Sequence, residues 1–214
     1  MKLILLPSGL LALLLFGASK PQEKRSFEGT VVYKIEVKSK SPNISTDRIQ
    51  QLYGSRMVFS IQGDKYRMSH SGTDLKEVFY LGDTNSQYTL RKGIDTLFVE
   101  NCAKEDRKLT SSTIGPTTNL VLGHKCHTLI NDFGTTSTQY WFDPAIYINP
   151  NSFRNHAFGF TNLYYEKSKS LWLKYKYEGQ SFTLTFTAVD IQEHQLDRGV
   201  FQLPNLPKKR WAAL

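Results

Sequence analysis

Alternation with a period of two residues governs this chain and restricts it to a sheet. The clearest run is Phe27-Glu28-Gly29-Thr30-Val31-Val32-Tyr33-Lys34-Ile35-Glu36-Val37. Phe27, Val31, Tyr33, Ile35 and Val37 share one parity, while Glu28, Lys34 and Glu36 occupy the other. Successive side chains of a strand leave opposite faces, so the run predicts one buried side and one wet side. Met57, Phe59 and Ile61 then alternate up to Gly63-Asp64, and Tyr66 and Met68 return on one face. Turn signals follow at Ser71-Gly72-Thr73-Asp74, Gly82-Asp83-Thr84-Asn85 and Lys92-Gly93. Turns at this spacing make sequential strands antiparallel neighbours.

Helix signals are few. Ser45-Thr46-Asp47 caps a short helix over residues 48–53, and Gly54 stops it. Residues 103–119 break the rhythm, charged first and then rich in Ser, Thr, Gly and Pro, and are expected to hold a helix or a long loop. Strands resume at 120–122, 125–132 and 135–142, and residues 149–162 read as irregular or weakly helical. A last hairpin pairs 171–177 with 182–189, and Phe201-Gln202-Leu203-Pro204 opens the closing segment. No repeat of fixed period stands out, which argues against propellers and solenoids. The fold class expected is mainly β. A meander of about ten to eleven strands must curve strongly into a half-barrel, because a flat open sheet of that size is unusual.

The amino terminus adds a location. Lys2, an apolar run over residues 3–16 and the small residues Gly17-Ala18-Ser19 have the form of a secretory signal over residues 1–19. The run is too short for a bilayer span and is broken by Pro7 and Gly9. Residues 20–214 are then expected to form one domain, exported to the periplasm or secreted, and soluble once the signal is cleaved. The net charge of +8 becomes +7 without Lys2. Basic residues are spread among the strands, with Lys208-Lys209-Arg210 the only short run, so the charge reads as a solvated surface and not as a nucleic-acid site. Cys102 and Cys126, one even pair in an exported chain, are expected to form a disulfide.

Motifs for catalysis are missing. His124-Lys125-Cys126-His127 is the densest candidate for a metal, but on a strand its side chains diverge, and no further ligand has the spacing zinc needs. His70, His156 and His194 read as isolated surface residues. No Gly-x-Ser-x-Gly elbow or phosphate loop occurs, and no cofactor, metal or enzymatic activity is expected. The residues expected to face a common concave surface are Tyr33, Ile35, Phe59, Met68, Phe79, Tyr88, Leu97, Tyr140, Phe142, Tyr175 and Phe186.

Four short motifs carry a resemblance. The opening Phe27-Glu28-Gly29-Thr30-Val31-Val32-Tyr33 resembles the first strand of exported Bacteroidetes-type proteins of unknown function. Leu122-Gly123-His124-Lys125-Cys126, Tyr140-Trp141-Phe142-Asp143 and the closing Phe201-Gln202-Leu203-Pro204 resemble further motifs of the same group. Those proteins are similar to the periplasmic lipoprotein-carrier (LolA-like) superfamily, which wraps a curved antiparallel sheet around helices and holds acyl chains. The resemblance implies a soluble envelope protein that binds a lipid or another hydrophobic small molecule on the concave side of its sheet. The alternative is an envelope interaction or scaffold protein with a filled core and a protein partner.

Overall fold

A computed structural model describes residues 24–211, apart from the side chains of Thr117 and Thr118. The expected signal over residues 1–19 and the domain start at residue 20 lie outside the described residues. Twelve strands form one sheet: β1 (Gly29–Ser39), β2 (Arg56–Gln62), β3 (Lys65–His70), β4 (Leu75–Leu81), β5 (Ser86–Arg91), β6 (Leu97–Asn101), β7 (Ser111–Val121), β8 (His124–Asp132), β9 (Ser137–Tyr147), β10 (Ser170–Glu178), β11 (Phe182–Glu193) and β12 (Lys208–Arg210). Their order in space is β12-β6-β5-β4-β3-β2-β1-β11-β10-β9-β8-β7. Every pairing is antiparallel except that of β12 with β6. The meander expected from the turns is therefore present, and the basic run at the carboxyl end adds a parallel edge strand.

That order forces curvature. β6 and β7 stand ten strand positions apart in the sheet. On a flat sheet ten spacings would measure roughly 48 Å. The chain joins them through residues 102–110 alone. Ten extended residue steps reach at most about 35 Å. The sheet has to curl until its two ends approach each other.

Segment 103–119 corrects the expectation of a helix or long loop. Its second half is β7, an edge strand paired only with β8. Ser, Thr and Pro116 fit an edge, where one set of backbone groups needs no partner and a missing N–H costs nothing. The segment between β9 and β10 covers the concave face. It holds a 3₁₀ turn (Pro150–Phe153), a second one (Phe158–Phe160) and helix α2 (Thr161–Ser168). The other helix, α1 (Thr46–Tyr53), forms where expected, with the Ser45 hydroxyl accepting from the Arg48 N–H. Its end is pinned by Gly54, at φ 78°, against Gly72 of the β3–β4 turn. A Cβ on Gly54 would stand 2.2 Å from the Gly72 nitrogen, so only glycine permits this approach.

The cysteine expectation is corrected. Cys102 and Cys126 are free, buried thiols. Cys102 follows β6, Cys126 lies in β8, and each Sγ points to a carbonyl of its own segment, Glu100 O at 3.9 Å and His124 O at 3.5 Å. Burial pushes the Cys102 thiol up to about 12 and raises Cys126 as well. Thiols held protonated in this way are poor nucleophiles and inert to exchange. Without reductant, a thiol reagent should label almost nothing in the folded protein and two thiols per chain after denaturation. Failure to label the denatured chain would show that the thiols are bonded after all.

Candidate hydrophobic ligand site

The concave side is an aromatic interior. Tyr33 of β1 is fully buried, stacks on Trp172 with centroids 4.3 Å apart, and donates its hydroxyl to the Trp172 carbonyl at 2.7 Å. From the covering segment, Tyr164 stacks on Tyr140 at 4.3 Å and Phe153 on Tyr165 at 4.5 Å. Large flat rings interlock across a curved surface but cannot fill it completely. A cavity of about 540 Å³ remains. Its walls include Tyr53 from α1, Met57 and Phe59 from β2, Tyr66, Met68 and His70 from β3, and Val78 from β4. Tyr140, Trp172, Tyr175, Leu184 and Phe186 complete the sheet side, and Phe158, Tyr164 and Tyr165 close it from the covering segment.

Five of the expected concave residues therefore meet around one space: Phe59, Met68, Tyr140, Tyr175 and Phe186. Tyr33, Ile35 and Phe142 belong to the same buried cluster but pack behind the cavity wall. Phe79, Tyr88 and Leu97 are corrected. They form a separate cluster with Leu90, against which Leu203 and Leu206 of the closing segment pack. Arg67 fixes that outer layer, ion-paired to Glu77 at 2.7 Å, donating to the Val200 carbonyl at 3.3 Å, with its guanidinium over the Phe79 ring. In β4 the run Val78-Phe79-Tyr80 is buried on both faces, so parity alone could not say which ring turned inward.

Most of the lining lies outside the expected set, and two histidines in it read as surface residues in the sequence. His156, read as surface, is 1% exposed. Its Nε2 lies 3.0 Å from the Tyr66 hydroxyl and its ring lies 4.2 Å from that of Tyr80. His70 also lines the cavity, edge-on to Phe186, and neither of its ring nitrogens closes a hydrogen bond, although the nearby Tyr53 backbone favours the charged form. A histidine at the end of a strand carries no local mark of burial; only the packing of α1 and the covering segment creates it. Burial pushes both imidazoles from 6.5 down to about 4. The cavity wall is thus uncharged at neutral pH. The dense cluster His124-Lys125-Cys126-His127 gathers no metal site: His124 pairs with Asp143 at 2.9 Å, His127 stacks on Phe142, and among the described residues no group of three ligating side chains could hold an ion.

The covering segment is tied down from the β6–β7 link. The Cys102 carbonyl accepts from the N–H groups of Ala157 at 2.7 Å and Phe158 at 3.2 Å, and Asp106 accepts from Gly159 N–H at 3.2 Å. The same short link that curls the sheet thereby seats Phe158 and Gly159 at the cavity.

No family model and no curated protein matches the chain. Among solved structures it is similar to PNGF-II in two crystal forms, at 12% and 14% identity and TM-scores of 0.49 and 0.46. These cover 86% and 85% of the chain, which spans about a third of the PNGF-II length (32% and 31%). It is also similar to the Mycobacterium tuberculosis lipoprotein LppX, at 8% identity and a TM-score of 0.34, over 79% of this chain and 89% of that one. Likenesses below a TM-score of 0.5 assign no function. Among the described residues no helix is long and apolar enough to cross a membrane.

His156, buried, and His70, partly buried, predict acid sensitivity. Above 6.5 both are neutral whether the chain is folded or not, so they cost nothing. Below 6.5 the unfolded chain takes up protons that the native state refuses until about 4, so stability falls through that window. The loss should reach roughly 3 kcal/mol per histidine. Urea unfolding at pH 7.5 and pH 4.5 should show the drop, and the double variant H70Q/H156Q should flatten it.

Proposed function

We propose that this chain is a non-catalytic binding protein that holds a lipid or another hydrophobic small molecule in the aromatic cavity. One observation carries the reading: an apolar space of about 540 Å³ survives inside a sheet whose neighbouring rings are stacked at close to 4 Å. Interiors normally close to crystal-like density, and lined cavities of roughly 300–1,000 Å³ are the size class of small-molecule sites. Burying about ten methylenes contributes roughly 8 kcal/mol, which matches a micromolar complex before the entropy of association is subtracted. A chain of about fifteen methylenes contributes roughly 12 kcal/mol and offsets about 4 kcal/mol of that cost, which sets micromolar affinity as the expected scale. The resemblance of the strand motifs to exported carrier-like proteins supports the same reading and an envelope location.

A second reading has its own observation. Ile114, Leu120, Leu122 and Ile130 are exposed on the edge hairpin of β7 and β8, which would suit contact with an envelope protein.

Titration with an uncharged fluorescent probe, N-phenyl-1-naphthylamine, tests the first reading. The wild type should bind it at micromolar concentration. Met68 lines the cavity without being fully buried, so Met68→Trp can extend into the space; it should weaken binding about tenfold and cost at most about 1–3 kcal/mol of stability. Phe79→Ala, on the outer layer, should cost about 3–5 kcal/mol yet leave probe affinity unchanged. A wild type that takes up no probe has a filled interior and is a scaffold.

A further inference from the structure

A second hollow, of about 510 Å³, opens at the rim where β3 ends, β4 begins and β5 ends. His70 belongs to its wall and to the wall of the aromatic cavity, and is the one residue common to both. The chain passes between the two spaces in single steps. His70 is followed by Ser71, which faces the rim hollow, and Leu75 of the cavity is followed by Lys76 of the hollow. Successive strand residues leave opposite faces, so the two spaces lie on opposite sides of the sheet and meet at its rim, where His70 ends β3 and Leu90 and Leu206 of the outer layer border the hollow.

Their chemistries are opposite. The cavity is aromatic and uncharged, whereas the rim hollow carries Lys76, Arg91 and Lys92 against one carboxylate, Asp95. Arg91 is already committed to Asp74, with its Nε at 2.7 Å from the carboxylate. Lys76 and Lys92 are exposed and make no ion pair among the described residues. The Ser71 oxygen accepts from the N–H groups of Ser55 and Arg56, each at 3.0 Å, which leaves its own proton available to donate. Two unpaired ammonium groups and a hydroxyl donor are what an anionic head needs, and an apolar space next to them is what its tail needs.

We infer that the ligand is a single-chain anionic amphiphile, its chain in the aromatic cavity and its carboxylate or phosphate head in the basic hollow beyond His70. This rests on the cavity reading proposed above and adds the head-group chemistry to it.

Displacement of N-phenyl-1-naphthylamine by three compounds with the same chain, hexadecyl phosphate, hexadecanol and hexadecyltrimethylammonium, tests it below their aggregation limits. At low salt the phosphate should displace the probe at a roughly fivefold to tenfold lower concentration than the alcohol, and the ammonium should be the weakest of the three. The surface variant K76E/K92E should erase that order while binding hexadecanol and the probe like the wild type. Equal displacement by phosphate and alcohol, or an unchanged preference in K76E/K92E, would overturn the head-group assignment and leave the cavity standing. Displacement by inorganic phosphate alone would overturn it too, because the site would then need no chain. If the wild type binds neither probe nor any of the three chains, the cavity reading itself fails.

Discussion

The short link between β6 and β7 is the constraint on which the rest of the molecule depends. Residues 102–110 join strands ten positions apart, and no extended chain of that length can bridge a flat sheet of that width. Curvature follows from covalent geometry before any side chain is considered. A sheet curled this far has an inside, and the inside must be covered or filled, since large apolar faces do not stay in water. The same link performs a second task by hydrogen-bonding the covering segment at Ala157, Phe158 and Gly159. Curvature and cover are therefore set by one stretch of chain.

The concave face and its cover are rich in rings. Tyr33, Tyr66, Tyr80, Tyr140, Tyr164, Tyr165 and Trp172 pack in stacked and edge-on pairs. Aromatic pairs add modest energy beyond their buried area, but their flat shape limits how closely a curved surface can be filled. The result is a wall that stays incomplete. Some hydroxyls within it find partners, as Tyr33 does on Trp172 and Tyr66 on His156, whereas that of Tyr164 is buried without one. Neutral histidines keep it uncharged near pH 7, because taking a proton there would put a charge in a poorly solvated site.

Charge and apolar space are separated by the sheet rim. The basic residues that look scattered in the sequence are mostly solvated, yet Lys76 and Lys92 fall at one rim of the sheet, near His70, because β4 begins where β5 ends. The outer face carries its own small core, built from Phe79, Tyr88, Leu90 and Leu97 under the closing segment. This second layer uses up rings that would otherwise have pointed at solvent, and it holds β4 and β5 in place from outside. The molecule is thus a curved sheet with a hollow interior on one side and a sealed exterior on part of the other.

Much of this could be read from the chain alone. Alternation placed Tyr33 and Ile35 on the buried side of β1, the turn signals gave the antiparallel meander, and strand number implied a curved sheet. Phe59, Met68, Tyr140, Tyr175 and Phe186 were identified as sharing a surface for the same reason. Tertiary structure decided the rest. Alternation relates residues within one strand; it cannot say which parity of β4 faces inward when both are covered, so Phe79 went to the outer layer. It cannot see that His156, some ninety residues from Tyr66, becomes its partner. Cys102 follows β6 and Cys126 lies in β8, strands that are not neighbours, a separation that only the spatial order of the sheet reveals. Local pattern determined the elements and their wet and dry sides, and long-range packing chose what each dry side touched, because burial depends on neighbours the sequence brings from far away.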